Sequence, residues 1–211
     1  MNFKNVLLIS AHPDDAEIGA GGTIAFLAHR GAQIDHLVFS QCTKSLPTGI
    51  TQDQLLDECR AADKILGIQD TEILDYPVRR FNEYRQEILD ILWQKRQQKY
   101  DLILCHWPND THQDHQQLAN EVVRAWKRAL PTILFYEIPA NCMGFAPNYF
   151  FILSEREVET KLNALNEYQS QVIRTPEYFS LDKFRAVLTY TGMLVGEKYA
   201  EGFVMHTSTI R

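Results

Sequence analysis

The chain has 211 residues, 45% hydrophobic and 23% charged, with a formal net charge of −6. That length suits one domain able to bury roughly 70–75% of the surface its unfolded form exposes, with the composition of an ordinary globular protein and no low-complexity tail. The acidic balance argues against a nucleic-acid partner, because binding phosphate backbones needs clustered Lys and Arg.

Val6 to Ser10 is a continuous apolar run, which predicts a strand buried on both faces of a parallel sheet. From Glu17 to His29, Ile18, Ile24, Leu27 and Ala28 recur at helical spacing, and Gly31 marks the stop. The unit then repeats with a strand at Ile34 to Phe39, a helix at Gln52 to Leu66 stopped by Gly67, and a short strand at Thr71 to Leu74. A helix from Asn82 to Gln98, a strand from Asp101 to Cys105, a helix from Gln113 to Ala129 and a strand from Thr132 to Glu137 follow. This alternation predicts a single α/β domain over 1–211, with a mostly parallel sheet, right-handed crossovers and flanking helices. Pro139 to Pro147 reads as an irregular loop. Helices at Ser154 to Gln171 and Leu181 to Glu197, then an apolar segment at Phe203 to Met205, close the chain.

Cys42, Cys59, Cys105 and Cys142 have no C-x-x-C pairing, so reduced thiols are expected. The run Val6 to Ile9 is too short for a signal-peptide core, and no stretch approaches the ~18 apolar residues of a membrane span. A cytoplasmic protein is expected. Arg79-Arg80, with Arg85 nearby, reads equally as a solvated helix entrance or as a contact for a substrate anion.

Two histidine-carboxylate clusters carry the chemistry. Ala11-His12-Pro13-Asp14-Asp15-Ala16-Glu17 follows the first strand, and Asp110-Thr111-His112-Gln113-Asp114-His115 follows the strand ending at Cys105. In open parallel sheets ligands collect beyond the carboxyl ends of the strands, so both clusters belong at one site. His12 and Asp15, like His112 and His115, are three residues apart, a spacing that shares one helical face. Imidazoles and a carboxylate suit Zn²⁺ or a similar divalent ion, which in catalytic sites takes three protein ligands and a water. Four donors exceed that need and leave one histidine to handle protons. Thr111 and Asp114 also match a capping box in part, which gives Asp114 a structural reading. His29, His36 and His206 stand alone and read as surface or packed groups.

Two rival chemistries fit less well. Gly19-Ala20-Gly21-Gly22 lacks the last glycine of G-x-G-x-x-G, position 24 being Ile, and the acidic loop before it would repel a pyrophosphate. No nicotinamide or flavin is expected. Ser10 and Cys105 lack the surroundings of an activated nucleophile, which leaves metal-activated water.

These motifs resemble those of the LmbE-like, or PIG-L, family of zinc-dependent N-deacetylases acting on N-acetylated amino sugars. The match rests on Ala11-His12-Pro13-Asp14-Asp15 with Glu17 and Gly21-Gly22, and on Asp110-x-His112-x-Asp114-His115. Weaker similarity extends to Glu58-Cys59-Arg60-Ala61-Ala62, to Tyr168-Gln169-Ser170-Gln171 and to Tyr199-Ala200-Glu201-Gly202-Phe203. The resemblance implies a Rossmann-like fold and a metal, Zn²⁺ or else Fe²⁺ or Co²⁺, bound by His12, Asp15 and His115. It further implies that Asp14 is the general base, that His112 is the free imidazole acting as an imidazolium, and that Asp114 holds His112 in its working tautomer. Arg79, Arg80 and Asp110 are candidate substrate contacts.

Two departures matter. The commoner family spelling puts Glu directly after the paired aspartates, whereas here Ala16 intervenes before Glu17, whose role is left open. The loop Gln41 to Ile50, with Cys42, Lys44 and Pro47, lacks a Gly-rich form and is expected to shape the substrate pocket. The expected substrate is a small acetylated amino sugar or conjugate. An amidase or esterase acting on a non-sugar, and an inactive metal-binding protein, are the alternatives. Related proteins include homo-oligomers, and the aromatic C-terminal half offers an interface for one.

Overall fold

The computed structural model describes residues 3–46, 48–128 and 131–208. Pro47, in the expected pocket loop, and Ala129, at the end of an expected helix, fall outside them. The first apolar run forms β1 (Asn5–Ser10), whose last five residues are all fully buried, as a strand covered on both faces requires. It lies parallel to β2 (Gln33–Val38). Beyond β2 runs β3 (Asp70–Ile73), again parallel. On the other side of β1 come β4 (Leu102–His106) and β5 (Thr132–Tyr136), both parallel.

The far edge departs from expectation. β6 (Tyr149–Ile152) and β7 (Ala200–Thr207) complete the order β3-β2-β1-β4-β5-β7-β6, and both of their pairings are antiparallel. The four-residue run of β6 lacks the strand-helix alternation that announces parallel strands, so pairing with β7 defines it. Extended pairing likewise lengthens the expected apolar segment 203–205 into an eight-residue strand.

The helices among the described residues are α1 (Asp15–Ala28), α2 (Gln52–Leu66), α3 (Arg85–Lys95), α4 (Gln113–Trp126), α5 (Glu155–Asn166), α6 (Gln169–Arg174) and α7 (Leu181–Val195). Alternate strand residues face opposite sides. Val6, Leu8, Leu102 and Leu104 join one core with α1, α2, α5 and α7, while Leu7, Ile9, Ile103 and Cys105 join another with α3 and α4. The helix expected over 154–171 is broken at Tyr168, whose ψ of 63° is not helical and whose ring is fully buried. None of the described helices is long and apolar enough to cross a membrane.

Helix α1 is gripped unusually closely. A Cβ on Gly19 would stand 2.2 Å from the Tyr136 ring, and one on Gly22 would stand 2.4 Å from Leu153. Into the space these glycines leave, Glu201 accepts the Gly22 and Thr23 N–H groups at 2.9 and 2.6 Å. Lys161 Nζ donates to the Ile18 carbonyl at 2.6 Å and pairs with Glu201 at 2.7 Å. Removing one member of such a buried pair costs about 3–5 kcal/mol, because the other charge is left alone. The start of α1, which carries the first motif, is therefore fixed from α5 and β7.

Candidate active site

β1 and β4 are parallel neighbours, and the chain moves outward from β1 in both directions, to β2 on one side and to β4 on the other. Loops leaving the carboxyl ends of two strands at such a switch point border a common crevice. One carries His12 to Asp14 into α1, and the other carries Trp107 to His112 into α4. Asp14 takes the turn with φ 87°, a left-handed conformation that costs a non-glycine residue on the order of 1–3 kcal/mol. Its N–H donates to the Tyr168 hydroxyl at 3.1 Å.

The two loops bring three donor atoms together. His12 Nδ1 and Asp15 Oδ2 are 3.2 Å apart, His115 Nε2 and Asp15 Oδ2 3.3 Å, and His115 Nε2 and His12 Nδ1 3.3 Å. Donors each ~2.1 Å from a tetrahedral ion would lie about 3.4 Å from one another, so this triangle fits a divalent cation with one position left open. The second nitrogen of each ring is held by a carboxylate: His12 Nε2 by Asp114 Oδ2 at 3.2 Å and His115 Nδ1 by Asp110 Oδ2 at 2.8 Å. Such partners set the tautomer and direct the free nitrogen to the metal. Burial alone would raise the Asp15 carboxyl, but His115, His106 and His12 hold it well below the usual carboxylate range. Burial would also lower His115, yet Asp15 and Asp110 raise it to about 10. The same negative field that favours a proton there favours a cation.

Asp110 and Asp114 therefore differ from their expected roles. Asp110, expected at the substrate, is fully buried behind His115, where its other oxygen accepts the His112 N–H at 2.7 Å. The Asp114 carboxylate serves His12 instead of His112 and also accepts the Arg79 N–H at 2.6 Å. It is the Asp114 backbone N–H that donates to His112 Nδ1, at 3.2 Å. His112, not Thr111, is thus the N-cap of α4. Burial, with the imidazoles of His12 and His115, pushes His112 down to about 4.

A cleft of about 280 Å³ opens over the triangle. Asp14 and His112 line it beside the three donors, and Ile18, Leu46 and Phe179 supply apolar wall. Arg79 lines the cleft, but Arg80 turns outward onto Glu83. Arg174 and Tyr178, reached through α6, line the opposite end of the sequence's contribution and carry no local motif. Burial, then Asp15 and Glu17, raise the Asp14 carboxyl well above its ordinary range, against the pull of His12 and Arg174.

His106, the last residue of β4, also belongs to the site. Its ring stacks on His115 with centroids 3.8 Å apart, and its Nε2 accepts the Ala11 N–H at 3.0 Å. That bond occupies the lone pair a metal would need, and burial with the His115 charge pushes the ring down to about 4. Its position at a strand's carboxyl end was the available signal. Among the described residues, metal-type donors cluster as His12, His112 and His115, as Asp15, His106 and His115, and, away from the cleft in the core, as His36, Cys59 and Asp63. His36 Nδ1 and Asp63 Oδ2 are only 2.8 Å apart, a hydrogen bond with no room for an ion between them. Ser10 Oγ meets His36 Nε2 at 2.8 Å, giving Ser10, His36 and Asp63 the connectivity of a hydrolytic triad. All three are at most 2% exposed, out of substrate's reach.

Comparison with known proteins agrees with this geometry. The chain is 31% identical to the uncharacterized deacetylase YaiS of Escherichia coli, over 79% of this chain and 91% of that one. It is 29% identical to the diacetylchitobiose deacetylase of Thermococcus kodakarensis, over 95% and 82%. Its fold also matches GalB, the 4-carboxy-2-hydroxymuconate hydratase of Pseudomonas putida KT2440, with a TM-score of 0.77 and 21% identity over 99% and 98% of the chains. Fold alone thus leaves the reaction open, and the sequence match must narrow it. The profile of PIG-L, described as GlcNAc-PI de-N-acetylase, matches residues 7–126, a span that holds both motifs and more than half of the chain, so the chain belongs to the PIG-L family.

Proposed function

We propose that the protein hydrolyses the N-acetyl group of an acetylated amino sugar or its conjugate, using Zn²⁺ or a similar divalent ion held by His12, Asp15 and His115. One observation carries the reading: with the donor triangle complete, Asp14 and His112 are left over on the wall of the same cleft. When bound, the ion lowers the pKa of a coordinated water toward 7 and polarises the acetyl carbonyl. Asp14 takes the proton of the attacking water as the oxygen-carbon bond forms. A cation in the triangle acts on Asp14 in the same direction as His12 and Arg174, favouring the carboxylate that begins the cycle.

His112 contributes as a neutral donor. Its Nδ1 accepts the Asp114 N–H, so the proton of the neutral ring sits on Nε2, available to the oxyanion that forms at the acetyl carbon. Burial and the neighbouring imidazoles, which push the ring down to about 4, favour this neutral form over the imidazolium. The proton for the departing amine then comes from Asp14 as the carbon-nitrogen bond breaks, leaving acetate and free amine. Arg79 and Arg174 would receive polar or anionic groups on the rest of the substrate.

Acetate release from N-acetylglucosamine conjugates tests the reading, with loss on chelation and recovery on adding Zn²⁺ as controls. Asp14→Asn should retain metal and lose turnover by on the order of 100-fold or more. Near-parental turnover in that variant would defeat the assignment.

A further inference from the structure

The left-handed turn at Asp14 has to be held by something, since aspartate keeps such a conformation only where its surroundings over-determine it. The holding contact comes from a residue 154 positions away. Tyr168 stands between α5 and α6 with non-helical ψ, and its ring is fully buried. Its hydroxyl accepts the Asp14 N–H at 3.1 Å and donates to Glu17 Oε1 at 2.6 Å. A phenol has one proton to give. Because Glu17 takes that proton, an oxygen lone pair is left facing the Asp14 amide. Glu17 is itself fully buried in the first turn of α1, so the acceptor that orients the hydroxyl is as fixed as the helix.

Asp15 is already inside α1, whereas Asp14 lies just outside it. If the left-handed turn relaxed to helical φ, α1 would lengthen by one residue and the Asp14 carboxylate would turn relative to His12, which lies on the other side of the rotated bond. We propose that Tyr168 is a positioning residue for Asp14, with Glu17 orienting its hydroxyl, so that the pair sets the aim of the base relative to the rest of the site. This rests on the reading of Asp14 as the base, and it assigns Glu17 the role its displaced position in the motif left open.

The test uses acetate release by the metal-loaded protein. At saturating metal, Tyr168→Phe should lower kcat by on the order of tenfold to 100-fold, the scale of a misaimed catalytic group, with KM as in the parent. In an Asp14→Asn background the same change should cost within about twofold, because the group it aims is already gone. Glu17→Gln keeps the Oε1 acceptor and Glu17→Leu removes it, so of these two charge-neutral variants Glu17→Leu should lose the more kcat, falling with Tyr168→Phe. A purely structural role would move stability alone, or would multiply through the Asp14→Asn background. Either result overturns the proposal, as does a folded Tyr168→Phe protein with parental kcat. If Asp14→Asn itself turns over normally, the base assignment fails first. If it does not, and Tyr168→Phe does, the positioning role alone fails.

Discussion

Asp110→Asn probes how the candidate metal site is built, because both oxygens of this carboxylate accept hydrogen bonds from histidine residues, with the Cys142 thiol a further donor 3.5 Å from Oδ2. One oxygen takes the His115 Nδ1–H at 2.8 Å and the other takes the His112 N–H at 2.7 Å. Asparagine has a single acceptor oxygen. If that oxygen stays on His112, the amide NH₂ faces His115 Nδ1, and the ring must shift its proton to Nε2, the atom that faces Asp15 and His12. If the oxygen turns to His115 instead, NH₂ is set against the backbone N–H at the N-cap of α4. Either arrangement opposes metal binding, and partners of this kind are worth roughly 10–100-fold in affinity, or about 1.4–2.7 kcal/mol. Competition with a chromophoric chelator measures the loss directly. KM at saturating metal should stay at the parental value, since Asp110 is buried away from the cleft. Metal affinity within about twofold of the parent in folded Asp110→Asn protein would refute the reasoning, and a raised KM would return Asp110 to the substrate.

Other expectations follow from single contacts. Gly19→Ala sets a methyl 2.2 Å from a Tyr136 ring that is fully buried and pinned by its hydroxyl bond to the Ile9 carbonyl at 2.8 Å. Overpacking of about 2–3 kcal/mol should exceed the ~1 kcal/mol gain in helix propensity, so the denaturation midpoint should fall; a rise would contradict the packing. Arg79→Ala should raise KM with little change in kcat while keeping the backbone N–H that serves Asp114, whereas Arg80→Ala, facing Glu83, should leave both as they are. Equal effects of the two substitutions would remove the distinction. Burial alone would lower His36, but the Asp63 carboxylate 2.8 Å away raises it above its ordinary value. Its stabilisation is then complete below the unfolded value of about 6.5 and is lost as pH rises through the folded value. In metal-free protein the gap in unfolding free energy between the parent and His36→Asn should therefore narrow as pH rises above about 6.5. A gap independent of pH would mean that no charged pair forms.

The donors were legible because each motif packs its ligand types within a few residues at the end of an apolar run, and the parallel alternation placed both runs at one edge of the sheet. The direction of each carboxylate was not. Asp110 turns to His115 rather than to the cleft, and Asp114 turns to His12 rather than to His112, whose own ring caps α4 in place of Thr111. His106 was not singled out because the expected strand stops at Cys105, whereas β4 extends through His106 and stacks its ring on His115. Tyr168 stood in a run of weaker family similarity but with no role, because the helical periodicity of 154–171 runs through the break there, and Arg174 lay just past the expected helix with no motif around it. The antiparallel edge was missed because β6 has only four residues and depends on β7 for its pairing.

The division between the two halves of the chain bears on how far likeness to known deacetylases reaches. Residues 7–126, the span matched by the family profile, contain His12, Asp14, Asp15, His112 and His115. Asp110 and Asp114 within it hold the histidine rings, and further contacts come from beyond it: Glu201 and Lys161 grip α1, Tyr136 fills the space at Gly19, and Tyr168 braces Asp14. Gln171, Arg174, Thr175, Tyr178 and Phe179 of the cleft wall also lie beyond it, all within nine consecutive positions from α6 onward. The candidate reacting groups thus lie in the matched span, while the cleft wall is shared between that span and residues beyond it. A change confined to 171–179 can alter which conjugate is accepted while leaving the donor triangle untouched, because none of the three donors takes a hydrogen bond from that segment.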